Sequence, residues 1–172
     1  MAIVRAGDLD IDVDMVFQRR SWIVQRIGWV VMALAVVAAA LGLLGPGPLS
    51  RATASLPGVL EAEYQRFTRY EDLETLIVRV APAVTTSRVV RLSVNRDYLD
   101  HAQIMTVTPP PERVEAAHAR VIYVFRVAEP GRALDVTFNL KPRNIGRVEA
   151  RLAVESPNGR SPELTMRQFA FP

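Results

Sequence analysis

Cysteine is missing from all 172 residues, which excludes disulfides, thiolate metal sites and cysteine nucleophiles and leaves the redox compartment undetermined. Histidine occurs only at His101 and His118, and lysine only at Lys141, so arginine carries nearly all the positive charge. The formal net charge of +3 is small and predicts neither strong nucleic-acid binding nor an acidic substrate. The compact signatures of catalysis are also missing: there is no Gly-x-Ser-x-Gly, His-Glu-x-x-His, Gly-x-Gly-x-x-Gly or phosphate-loop arrangement. The expectation is a non-enzymatic chain with no cofactor, no metal, no nucleic-acid partner and no small-molecule substrate. The length suits one domain with a real core, and is too short for two ordinary domains plus a membrane segment.

What is present is distributed unevenly. Hydrophobic residues make up 49% of the chain, and many of them sit in one block near the N-terminus. Residues 27–45, IGWVVMALAVVAAALGLLG, contain no charged side chain, and as a helix they would extend roughly 28 Å, close to the ~30 Å hydrocarbon thickness of a bilayer. Pro46 and Pro48, interleaved with Gly45 and Gly47, should stop that helix, while Trp22 and Trp29 mark its other end as interfacial. Arg19, Arg20 and Arg26 precede the block and only Arg51 follows it closely. The positive-inside rule then puts residues 1–26 in the cytoplasm and sends the chain beyond about residue 50 across the inner membrane of a bacterium, into the periplasmic or extracytoplasmic space. The rival is a cleaved signal peptide, since Ala52-Thr53-Ala54 resembles a peptidase site. Against it, the apolar block exceeds the usual ~7 to 15 residues, and a leader with four Asp is unusual.

Within the apolar block Ala35 with Ala39, and Ala38 with Gly42, are small residues four apart, a spacing that lets a second helix approach closely. Ala-rich spans also occur facing lipid, so both readings stand. In the tail, residues 8–15 read DLDIDVDM, alternating acid and apolar. This pattern suits a short strand that adds to the edge of a partner, or a solvated tail; the Gly and Glu of a calcium-binding EF-hand loop are missing.

A Pro/Gly linker over residues 46–55 leads to a domain over residues 56–172 in which short Val-, Leu- and aromatic-rich runs recur between turn signals. Residues 60–70, 76–80, 90–94, 104–107, 121–127, 134–140, 148–154 and 164–171 read as strands, with 121–140 as a hairpin around Glu129-Pro130-Gly131. Short helices are candidates at residues 96–101 and 112–119. Seven or eight strands over this length predict an antiparallel β-sandwich of immunoglobulin-like type, with a barrel as the alternative. The linker is short, which favours a partner held at the membrane.

Asp97, Asp100 and His101 are acid-base or metal-ligand types close together, but loop histidines beside acids are mostly solvated. In YQRFTRY, Arg66 and Arg69 interleave with Tyr64, Phe67 and Tyr70; the pattern suits an Arg-aromatic recognition strip for a protein or for anionic head groups, or a half-core strand with solvated arginines. The combination of FQRRSWIVQRIGW, one Ala-Val-Leu span and a compact β domain resembles uncharacterised single-span inner-membrane proteins of bacteria. That resemblance implies the architecture and carries no activity.

Two functions follow as expectations. The first is a membrane-anchored accessory or interaction subunit that contacts the lipid bilayer and binds a membrane or envelope protein, or a second copy of itself, through Ala35, Ala38, Ala39, Gly42, Arg66, Arg69 and Tyr70. The second is an extracytoplasmic ligand-binding or sensory module that signals through the single span.

Overall fold

A computed structural model describes residues 3–6, 9–12, 15–41, 47, 49–155 and 161–172. The chain divides into two compact units, Met1–Ala40 and Leu41–Pro172.

In the first unit, strands β1 (Ile3–Ala6) and β2 (Leu9–Asp12) pair antiparallel, and helix α1 runs over Met15–Ala40. The alternating acidic run thus forms a strand over part of its length, while Asp8, Val13 and Asp14 lie outside the described residues. Within α1, the segment Arg19–Ala40 contains an 18-residue window with a mean hydropathy of 2.0. At about 1.5 Å per residue it is roughly 33 Å long, enough to cross a bilayer by length and composition. Trp22, Trp29, Val30 and Leu34 are more than half exposed, as lipid-facing side chains of a span would be in isolation. The helix ends at Ala40, before the expected boundary at Gly45, and Gly42 to Pro46 lie outside the described residues.

The second unit is built from two β-sheets. One has five strands, in the order β3 (Arg51–Leu56), β4 (Leu60–Gln65), β6 (Glu74–Val80), β11 (Leu134–Pro142) and β8 (Ala102–Thr108). The other has six, in the order β5 (Phe67–Arg69), β13 (Glu163–Phe171), β12 (Gly146–Val154), β7 (Val89–Asn95), β10 (Arg120–Arg126) and β9 (Arg113–Ala116). All pairings are antiparallel except β5 with β13. Period-two patterning turns the apolar set of each strand inward. Leu60, Leu76, Val78, Phe138 and Leu140 of one sheet join Leu92, Tyr123, Phe125, Leu152 and Met166 of the other in one buried cluster. The Tyr123 and Phe138 rings meet edge-on across it, with centroids 5.4 Å apart.

Four expectations are corrected. Residues 60–70 are two strands rather than one: after Gln65 the chain leaves the five-stranded sheet, and past Arg66 it joins the six-stranded one. Residues 121–140 are not a hairpin, because β10 and β11 lie in different sheets. Their connection is tied to the β6–β7 connection through buried Thr85, whose hydroxyl donates to Arg132 O at 2.6 Å while its carbonyl accepts from Gly131 N at 2.9 Å. A Pro-Gly turn signal is the same whether the next strand pairs alongside or arches to the facing sheet. Residues 112–119 hold strand β9 instead of a helix, and the last residues assigned to the linker belong to β3. Pro57-Gly58 joins β3 to β4, with Gly58 at φ 73° and Val59 N donating to Leu56 O at 3.0 Å, a turn that requires a left-handed residue at that position. Among the described residues the second unit has eleven strands, against the seven or eight expected, with β3, β5 and β9 as the additions. The expected helix at Arg96–His101 is present as α2.

Candidate functional site

The outward face of the six-stranded sheet is rich in arginine, and the strand registers determine which arginines are neighbours. In β7, β10 and β9, Val124 stands between Arg91 and Arg113 and is fully buried, although it points away from the core side occupied by Tyr123 and Phe125. The aliphatic stems of the flanking arginines cover it. Their charged ends are matched: Arg91 reaches Glu155 at 2.8 Å and Glu115 at 2.7 Å, and Arg113 reaches Glu115 at 2.6 Å. Hydrogen bonds from Arg91 and Arg113 hold the Glu115 carboxyl below its ordinary range. Arg120 pairs with Glu163 at 2.7 Å, and Arg126 with Glu112 at 2.5 Å. This half of the face is electrically closed.

The other end is not. The register places Phe67 beside Phe169, Phe169 beside Arg147, and Arg167 beside Glu149. A groove of about 550 Å³ opens there, lined by Arg66, Phe67, Arg147, Glu149, Arg167 and Phe169 among others. Arg66, Arg69 and Arg147 have no carboxylate partner among the described residues. Arg167 Nε is 3.6 Å from one oxygen of Glu149, whose other oxygen is 3.1 Å from Arg151 Nε. One carboxylate therefore serves two guanidinium groups beside three that have none. The aromatic floor is continuous: Phe67 and Phe171 lie 6.0 Å apart, and Phe169 and Phe171 4.8 Å apart.

The groove is held by the sheet edge. Arg66 O accepts from Phe169 N at 2.8 Å, and Tyr70 N donates to Phe171 O at 2.7 Å. On the free side of β5, buried Ser50 stands in for a neighbouring strand: its hydroxyl donates to Phe67 O at 2.8 Å and accepts from Phe67 N at 3.1 Å.

Of the residues singled out from sequence, Arg66 lines the groove, Arg69 lies beside Phe171 in register, and Tyr70 is 44% exposed at the end of β5. Ala35 and Ala39 are exposed on α1, Ala38 is half-buried, and Gly42 lies outside the described residues. Arg19, Arg20 and Arg26 are exposed on the same helix, with the Arg26 guanidinium 3.7 Å from the centre of the Trp22 ring. Asp97, Asp100 and His118 share a cleft of about 300 Å³ with Arg96, Arg120 and Glu163, whereas His101 is not part of its lining. His101 Nδ1 instead donates to Asp97 O at 2.8 Å. Among the described residues no three His, Asp or Glu side chains are placed to hold a metal ion.

Arg147, Arg167 and Phe169 escaped the reading of the sequence. Their alternation was visible, but the parallel pairing that brings β5 against β13 has no local signature. No protein-family model matches this sequence, and no significant match is found among curated proteins.

Proposed function

We propose that the chain is a non-enzymatic, membrane-anchored accessory subunit whose β domain binds a membrane or envelope protein. In this reading α1 crosses the bacterial inner membrane with its N-terminus in the cytoplasm, on the balance of Arg19, Arg20 and Arg26 against Arg51. The domain beyond it is read as an immunoglobulin-like sandwich, on the two sheets and the chain's repeated crossing between them. The observation that carries the interaction reading is the groove at the β5–β13–β12 end: arginines without carboxylates beside half-buried phenylalanine rings, on a face whose other arginines are matched. Arginine and aromatic side chains are the types enriched where interfaces concentrate their energy. Exposed Ala35 and Ala39 support a helix-to-helix contact in the bilayer as an adjunct.

Purification of the full chain in mild detergent tests this reading. A stoichiometric membrane or envelope protein should accompany it, and a monodisperse lone chain contradicts the proposal. Reporter fusions at the two ends should show a cytoplasmic N-terminus and an extracytoplasmic C-terminus.

A further inference from the structure

The chemistry of the groove narrows the partner, given the accessory-subunit reading on which this inference rests. On one continuous sheet face, the β7–β10–β9 half uses arginine to cover Val124 and to close ion pairs, so those residues are accounted for by the fold. Arg66, Arg147 and Arg167 cover no such buried position. Arg167 is 85% exposed in its side chain and has the longest ion pair on this face. An exposed guanidinium presents a planar fork that matches a carboxylate with two parallel hydrogen bonds. Between these forks the Phe67 and Phe169 rings give apolar area.

We propose that this groove binds an extended, acidic segment of a partner protein, with carboxylates on Arg66, Arg147 and Arg167 and intervening apolar side chains on Phe67 and Phe169. The spacing fits: Arg147 and Phe169 are neighbours across strands, about 4.8 Å apart, and Phe169 and Arg167 are alternate residues of β13, about 6.8 Å apart, so an extended chain whose same-face side chains alternate carboxylate and apolar meets guanidinium and ring in turn. Glu149, shared between Arg151 and Arg167, holds Arg167 in place and gives way to an incoming carboxylate. A bilayer surface fits less well. The three phenylalanines are half-buried and packed on one another as a floor, and none is a free wedge for insertion into lipid.

The test uses the full chain in detergent and a fluorescein-labelled synthetic Glu-Leu peptide of repeating Glu-Ser-Leu-Ser, which when extended alternates Glu and Leu on one face, read by anisotropy. Binding is expected, with affinity falling roughly tenfold or more in the Arg147→Ala/Arg167→Ala double variant. Arg113→Ala, which removes a matched arginine at the far end, should leave affinity unchanged, and a Lys-Leu peptide should not bind. The double variant should keep the wild-type melting transition, because both replaced side chains are exposed. The inference is overturned by equal peptide affinity in the double variant, by equal binding of the Lys-Leu peptide, or by binding to phosphatidylglycerol vesicles without binding to the Glu-Leu peptide. A partner that co-purifies equally with wild type and the double variant overturns the groove assignment while leaving the accessory-subunit reading in place. Failure to recover any partner strikes at that broader reading instead.

Discussion

Gln168 on β13 donates its side-chain amide to the carboxyl of Glu74 on β6, so that one hydrogen bond joins the two sheets through the interior. The same Nε2 donates to Gln65 O at 2.9 Å, which ties the pair to the point where the chain leaves one sheet for the other. Glu74 is 4% exposed, and burial raises its carboxyl from 4.5 to about 7 despite the hydrogen bonds from Gln168 and the Gln65 backbone, which act the other way.

A pH dependence follows. Below 4.5 the carboxyl is protonated in both folded and unfolded chains; between 4.5 and about 7 the folded state holds a proton that the unfolded state has released. Stability therefore falls as pH rises through this window, by about 3 kcal/mol in full. Glu74→Gln keeps an acceptor for Gln168 and removes the ionisation. Denaturation of the full chain in detergent at pH 5 and pH 8 should show the wild type losing this stability relative to Glu74→Gln; parallel behaviour of the two proteins would contradict the assignment.

Tyr98 of α2 offers a second check. Its ring is 1% exposed within the core cluster, and its hydroxyl has no hydrogen-bond partner among the described residues. Burial, and the nearby Glu74 carboxyl, push the phenol well above its ordinary range, so it stays neutral. An unpaired buried hydroxyl costs about 1 to 3 kcal/mol. Tyr98→Phe should match or exceed the wild type in a thermal melt, and a fall of several degrees would show that the hydroxyl has a role not accounted for by this packing.

Ser50 supports the groove from the free edge of β5. Replacing it with Ala leaves both Phe67 N and Phe67 O without the hydroxyl that now serves them, at a cost of about 1 to 3 kcal/mol. Hydrogen exchange should accelerate at Phe67 and Phe169 and remain unchanged at Val78 and Phe138. Uniform acceleration across both sheets would mean that β5 does not open as a local edge.

The sequence revealed most of the strands but not their partners. Alternation in LDVTFNL and in RVEARLAV predicts β11 and β12 directly, because each strand buries one face against a common core. Which sheet a strand enters depends on contacts distant in sequence. Thr85 staples two inter-sheet arches, and Arg66 turns the chain from one sheet to the other, yet neither residue type announces that role locally. The groove was half-legible for the same reason. YQRFTRY drew attention to Arg66, Arg69 and Tyr70, while Arg147, Arg167 and Phe169 joined them only through the registers of β12, β13 and β5.

Site-specific photo-crosslinking in intact membranes tests whether the groove at the β5–β13–β12 end holds a partner. A photoreactive side chain replaces Thr165, which borders the groove region beside Arg167, or Thr53, which is exposed on the outward face of the five-stranded sheet. A discrete crosslinked partner is expected from position 165, lost when Arg147 and Arg167 are both changed to Ala, and none from position 53. Equal crosslinking from both positions, or a product from position 165 that persists in the double variant, would contradict it.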